Sequence, residues 1–337
     1  MNTSLKRVSE FLTNYAIYVV LVVLIIGISV SAPSFLSLST LTNILHQNAT
    51  KAIIALGAAF VLITGGVDLS AGRVVGLSAV ISASMVQVSD YPRKFFPDLD
   101  QLPVVVPVLL AVFAGILVGL INGLIISKLH VPPFITTLGT MVIVLGVNSL
   151  YFDMPPNSSQ PIGGLRNDFT KWGSGTIDIG PFSLPYLVII AIIVAVICWV
   201  IFNKTRLGKN MYAIGGNVQA AHVSGINVGR NLLWIYSIAG ALYGLAGVLE
   251  AAKSGGASTG YGNMYELDAI AACVVGGVST TGGIGTVPGI MAGVMIFGII
   301  NYGLTFIGVG PYFQLIIKGA IIVVAVAFDI RKYLAKK

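Results

Sequence analysis

Charge is the scarcest thing in this sequence. Only 9% of its 337 residues are charged, against about 25% in an ordinary soluble domain, and mean hydropathy reaches +0.92. So little charge excludes a soluble globular protein and points to an integral membrane protein. Cysteine is nearly absent too: Cys198 and Cys273 lie in apolar runs with no CxxC pair and no histidine at ligand spacing. Neither a disulfide framework nor a metal site is expected. Long polar stretches are missing as well. The two longest, about 153 to 182 and 203 to 230, are too short to bury a core of their own, so residues 1–337 read as a single transmembrane domain. No GxxxxGK[ST] occurs, which excludes a P-loop motor in this chain. The glycine clusters form no GxGxxG fingerprint after a soluble strand, and there is no nucleophile elbow, HExxH or kinase set. The chain is not expected to be an enzyme or to hold a cofactor.

What is present is apolar length. At ~20 residues per span, ten candidates stand out: 15 to 32, 44 to 64, 71 to 88, 103 to 127, 133 to 152, 183 to 202, 231 to 251, 267 to 280, 284 to 305 and 311 to 328. The apolar runs are continuous and do not alternate with period two, which excludes a β-barrel. The expected fold is all-α, a polytopic bundle of about ten spans. The first run, Ala16 to Ala32, follows a basic start as a secretory signal would, but it is longer than an h-region of about 7–15 residues and reads as an uncleaved helix.

The basic residues report orientation and not nucleic acid. With the N-terminus cytoplasmic, the inside segments hold twelve basic residues (Lys6, Arg7, Arg73, Lys128, Lys204, Arg206, Lys209, Arg230, Arg331, Lys332, Lys336 and Lys337) against Glu10, Asp68 and Asp329. The outside segments and span ends hold Lys51, Arg93, Lys94, Arg166, Lys171 and Lys253 against nine acids. The positive-inside asymmetry therefore predicts both termini cytoplasmic, with Lys318 left over inside the tenth span.

Glycine is abundant, 40 residues in all, and small residues let helices approach closely in lipid. Two internal similarities appear. INGLIISKLHVPPF at 121 to 134 resembles INYGLTFIGVGPYF at 300 to 313, joining spans four and five to spans nine and ten. An offset of five spans reverses topology, so this pair predicts an inverted repeat of the transporter kind. GGVDLSAG at 65 to 72 resembles GGVSTTGG at 276 to 283, but both octads fall on the cytoplasmic side, so this pair reads as shared turn chemistry.

Candidate residues on a translocation path are the polar groups set in apolar helices: Asp68, Ser70, Asn122, Asn148, Asn301, Gln314 and Lys318. Charged groups at membrane depth are costly and rarely idle. Asp68 and Ser70 could equally cap the helix that follows, and Lys318 could snorkel. Tyr265, Glu266, Leu267 and Asp268 open the eighth span, where carboxylates suit a helix N-terminus. His46, His130 and His222 are scattered and form no relay.

The segment NKTRLGKNMYAIGGNVQAAHVSGINVGRN, 203 to 231, carries four basic residues and no acid. It reads as two short elements. Asn217 caps a short helix through Val223 and Gly225 stops it, so that the helix lies along the membrane surface and exposes Gln219, Ala220 and Ala221. A plain positive-inside loop explains the charge but not a small-residue helix bracketed by glycines.

TRLGKNMYAIGGNVQAAHVSGIN resembles the cytoplasmic coupling segment of the monosaccharide permeases of bacterial ABC importers. GGVDLSAGRVVGLSA, LHVPPFITTLGTMVI, MYELDAIAACVVGGVSTTGGIGTVPG and NYGLTFIGVGPYFQLIIKGAIIV resemble that family's recurring segments, so the likeness runs from about Tyr15 to Tyr333. SDYPRKFFPDLDQLP at 89 to 103 and GVGPYFQLIIKGA favour its galactose and methyl-galactoside branch over the ribose branch. The resemblance implies an inner-membrane homodimer of about ten helices per subunit. It also implies a cytoplasmic ATPase with two nucleotide-binding cassettes in one chain, which uses the ATP, and a periplasmic galactose/glucose-binding protein. By the same resemblance, Gly215, Asn217, Gln219, Ala220, Ala221 and Gly225 carry the coupling to the ATPase. A proton- or sodium-coupled carrier is the rival from another class, with Asp68 and Lys318 as its ionisable candidates. A passive channel would leave the 203–231 segment unexplained.

Overall fold

The computed structural model describes residues 22, 25–30, 33–180 and 182–334. Its elements are α1 Leu38–Ile63, α2 Ala71–Met85, α3 Val105–Leu129, α4 Pro133–Asp153, α5 Asn167–Ser174, β1 Thr176–Ile179, β2 Phe182–Pro185, α6 Tyr186–Lys204, α7 Arg206–Gly216, α8 Val218–Val223, α9 Val228–Ser254, α10 Tyr265–Val275, α11 Val287–Phe306 and α12 Pro311–Leu334. Helices dominate because backbone groups in hydrocarbon must be satisfied within their own segment. The exception is a short antiparallel hairpin, β1 with β2, whose register pairs Thr176 with Pro185 and Ile179 with Phe182.

Helix starts follow local chemistry. The Ser37 hydroxyl accepts the Thr40 amide at 3.2 Å to open α1, and Thr286 accepts the Gly289 amide at 3.2 Å to open α11. Pro133 starts α4, where its missing N–H costs nothing.

Six described helices, α1, α3, α4, α6, α9 and α11, are long and apolar enough to cross a membrane; α2 and the apolar part of α12 are shorter. The expected count of ten is therefore not reached among the described residues, and the first candidate, 15 to 32, lies mostly outside them.

α1 and α9 form the centre, antiparallel, with Thr50 opposite Glu250 and Gly57 against Tyr243. α3 lies along α9 through a glycine seam: a Cβ on Gly115 or Gly119 would strike the backbone carbonyl of Gly240 or Tyr236. This is the close backbone approach that small residues permit in lipid. The outer surfaces of α3, α4 and α6 expose Leu109, Phe113, Ile143, Val147, Ile193 and Ile197, a face suited to lipid.

The bundle has two distinct ends. At the α5 end, His46 Nε2 bonds the Gly173 carbonyl at 2.8 Å. At the α8 end, the Ile63 carbonyl closing α1 accepts the Gly283 amide at 2.8 Å. The turn between α3 and α4 lies at the α8 end, where His130 and Pro132 share a cleft with Val218 and Gln219. The turn between α11 and α12 lies at the α5 end, where Asn43 reaches Tyr302 at 3.5 Å. The two similar segments thus sit at opposite ends, as an inverted repeat requires. The two octads meet at the α8 end, where Gly282 packs on Gly65; from there the first octad runs inward to Asp68 and Ser70.

The eighth candidate differs from expectation. In place of a span over 267 to 280, α10 has only 11 residues, about 16 Å of a hydrocarbon core about 30 Å thick. Residues 255–264 precede it without helical structure. Ala257 pairs with Ile162 at the α5 end, and then Tyr261 and Gly262 pack on Gly76 and Gly72 near the start of α2. From Met85 back to Gly72 is about 20 Å along the helix, so the segment descends deep into the bundle before α10 begins. Its sequence, GGASTGYGNM, is too rich in glycine to continue a helix, and hydropathy alone does not separate a half-length helix from a span.

Candidate functional site

Three polar regions emerge, one at each end and one between them. At the α8 end, the Thr205 hydroxyl accepts the Gly208 amide at 3.1 Å to open α7, and Met211 and Ile214 bury its inner face. Tyr212 Oη donates to the Gly285 carbonyl at 2.7 Å. Burial raises the Tyr212 pKa, which keeps the hydroxyl a donor. Asn217 ends α7 in extended backbone and its Oδ1 accepts the Ala220 amide at 2.9 Å to open α8.

α8 runs for six residues. Gly225 follows at φ +78°, a conformation glycine adopts without the Cβ penalty, and its amide bonds the His222 carbonyl at 3.0 Å. Asn217, Gln219, Ala220, His222, Val223 and Gly225 are exposed. Ala221 is a correction: expected on the exposed face, it is buried at 3%, because so short a helix must turn one side down onto the bundle. The result is a ridge flanked by two clefts of about 810 and 550 Å³. The second is lined by Arg206, Asn210, Arg230 and Trp234.

Gly215 does not belong to that exposed ridge. It is wedged where α7 meets both octads, and a Cβ there would run into the Ile63 carbonyl. The ridge is thereby joined to the turn that holds Asp68.

In the middle region, Asp68 Oδ1 accepts the Ser70 amide at 2.9 Å and the Ser70 hydroxyl at 2.6 Å. Asn122 Nδ2 of α3 donates to Ser70 Oγ at 3.0 Å, and Thr137 Oγ1 of α4 donates to the Val67 carbonyl at 3.1 Å. All of Asp68, Ser70 and Asn122 are buried. Ser70 caps no helix with its side chain; the three residues lock the α1–α2 turn to α3. Asn148 lies apart, on α4 beside Gly76 of α2. The Oδ1 atoms of Asn122 and Asn148 have no hydrogen-bond partner among the described residues.

At the α5 end, Gln314 Nε2 donates to the Val309 carbonyl at 2.7 Å and to Thr305 Oγ1 at 3.2 Å, bracing the turn between α11 and α12. Asn301 is nearby in sequence but its side-chain amide is unpartnered among the described residues. Lys318 Nζ of α12 donates to both carboxylate oxygens of Asp268, at 3.1 and 3.2 Å, so it is paired and does not snorkel. Lys51 of α1 approaches the same carboxylate at 3.5 Å. Beside them Glu250 of α9 accepts from Thr50 at 2.7 Å, from Lys253 at 2.8 Å and from Tyr265 at 3.2 Å. Sequence reading singled out Lys318 but not Lys51, Thr50, Glu250 or Lys253. The available signal was Lys51, the one Lys, Arg, Asp or Glu in the 26 residues of α1.

Six apolar helices of spanning length, a half-length helix behind a non-helical segment, and ion pairs buried between helices make this a polytopic membrane protein. Residues 40–326 match the family described as branched-chain amino acid transport system / permease component, and the chain belongs to that family. It is 53% identical over 332 residues to the galactose/methyl galactoside import permease of Escherichia coli (strain K12), covering 98% of both chains. It is equally 53% identical to the Haemophilus influenzae protein of that name over 97% of both. The ribose import permease of Bacillus subtilis (strain 168) is 41% identical over 93% of this chain and 91% of its own. No solved structure matches.

Proposed function

We propose that this chain is the permease subunit of an ABC importer that carries galactose or methyl galactoside, and glucose with them, across the bacterial inner membrane. The observation that carries this reading is likeness over the whole length, at 53%, to proteins bearing the galactose/methyl galactoside name. The ribose reading has lower identity behind it, 41% in the Bacillus subtilis relative.

In this reading the chain is a homodimer whose α8 ridge docks on a separate cytoplasmic ATPase with two nucleotide-binding cassettes. Both termini are cytoplasmic, a periplasmic galactose/glucose-binding protein delivers the sugar to the α5 end, and the chain itself needs no cofactor. ATP binding in the partner moves α8, and Gly215 passes that motion to the Asp68 turn and the 276–286 loop. Rigid contact at that point supports the transmission, because packed interfaces switch between discrete arrangements. Asp68, Ser70 and Asn122 then act at the moving turn, while Lys318 lies nearer the sugar.

The test is sugar uptake into proteoliposomes holding this chain and its ATPase, with galactose-loaded binding protein outside and ATP inside. Uptake that needs all components supports the proposal. Uptake by this chain alone on an ion gradient overturns it and returns attention to an ion-coupled carrier.

A further inference from the structure

Lys51, Lys253 and Lys318 come from three different helices and converge on two carboxylates, Asp268 and Glu250. The lysine side chains remain 27, 18 and 23% exposed, while Asp268 and Glu250 are at 10 and 9%. The acids are thus more deeply buried than the ammonium groups that pair with them. Ionisable side chains on membrane-spanning helices face protein or a water-filled cavity and not lipid. The lipid-suited faces lie instead on α3, α4 and α6, where Leu109, Phe113, Ile143 and Ile193 are exposed.

A second observation points to the same place. The non-helical segment 255–264 enters the bundle and delivers Tyr265 and Asp268 on the first turn of α10. Broken backbone at membrane depth is tolerated only where protein buries it or it lines water, and discontinuous helices build the substrate sites of many transporters.

The two carboxylates differ in how fully they are used. Glu250 accepts from Thr50, Lys253 and Tyr265, three donors on a carboxylate that takes about four, which holds it in place. Asp268 accepts hydrogen bonds from Lys318 alone. Lys51 approaches Asp268 at 3.5 Å and makes no hydrogen bond among the described residues. Its three N–H donors are unspent, next to an acceptor with lone pairs to spare.

We propose that Lys51, Asp268 and Lys318 form a sugar-reading subsite within the permease, taking an uncharged hexose through a pair of adjacent hydroxyls. One hydroxyl oxygen accepts from Lys51 while its neighbour donates to Asp268, replacing the loose Lys51–Asp268 approach. Lys318 holds the carboxylate in place. The subsite is weak by construction, because each new contact displaces part of an existing ion pair, and a transported sugar must leave. This inference rests on the sugar-importer reading above.

The experiment uses the complete transporter in proteoliposomes with Lys51→Gln, and compares galactose with its singly deoxygenated analogues. Each sugar is presented on saturating binding protein, so that delivery is the same for wild type and variant. In the wild type, the analogue lacking the hydroxyl read by Lys51 is transported about tenfold more slowly, the scale of one lost charge-assisted hydrogen bond. In Lys51→Gln, galactose is slowed by a similar factor and that one analogue is slowed no further, while the other analogues keep their own losses.

Independent losses for every analogue would make Lys51 structural only and overturn the subsite. Lys318→Arg, which keeps the charge and changes donor geometry, is run in the same cycle and is expected to alter Asp268-dependent discrimination while the complex assembles. If neither variant assembles, the cluster is a brace and the proposal falls. If wild type itself imports no galactose with ATP and binding protein, the importer reading fails instead, and the two failures are told apart.

Discussion

The carbonyl of Ile63 accepts the amide of Gly283 at 2.8 Å, tying the end of the central helix to a loop 220 residues later, and Gly215 of α7 packs into that same junction. One contact therefore joins the exposed α8 ridge, the Asp68 turn and the loop between α10 and α11. α10 begins beside the ion-pair cluster and ends at this loop, so the cluster and the junction are the two ends of one short helix.

Gly215→Ala places a methyl group against the Ile63 carbonyl and is expected to cost about 1–3 kcal/mol, the usual scale of overpacking. Gly216→Ala is the control, since nothing lies within 4 Å of its Cβ position. Thermal unfolding of the detergent-solubilised chain should show a lowered midpoint for the first and none for the second. Equal midpoints would remove Gly215 from the junction.

Neighbouring alanines on α8 should separate docking from folding. Ala220 is exposed and Ala221 is buried. Ala220→Glu is expected to leave the unfolding midpoint unchanged and to weaken co-purification with the ATPase. Ala221→Glu buries an unpaired carboxylate and should lower the yield of folded chain before any partner is added.

Glu250→Ala strands Lys253 and leaves Thr50 and Tyr265 without their acceptor. Removing one partner of a buried ion pair costs about 3–5 kcal/mol, so this variant is expected to be among the least stable single substitutions in the bundle. Lys253→Met, which leaves Glu250 its two hydroxyl donors, should cost clearly less in the same unfolding assay.

At the α1–α2 turn, Asp68→Asn keeps an oxygen for the Ser70 amide and hydroxyl, whereas Asp68→Ala removes it. The first is expected within about 1 kcal/mol of wild type, and the second lower by about 1–3 kcal/mol. If both variants unfold alike, the Asp68–Ser70 bonds do not hold the turn.

The sequence by itself determined what depends on neighbours a few residues away. Apolar length set the membrane class and located most helices. The cap at Asn217, the six-residue helix and the stop at Gly225 were legible because each is an i to i+3 matter of backbone donors and a glycine φ. The opposite placement of the two similar turns was legible from their offset. Only the tertiary structure decided that α10 is a half-length helix behind a descending segment, that Ala221 faces inward, and that Gly215 is a junction and not a surface. It alone brought Lys51, Asp268 and Lys318 together. Lys318 and Asp268 are 50 residues apart, and Thr50 and Glu250 are 200. Such pairings are set by which helices pack side by side, and helix packing in lipid rests on close-fitting small residues along whole faces, information no single stretch of sequence contains.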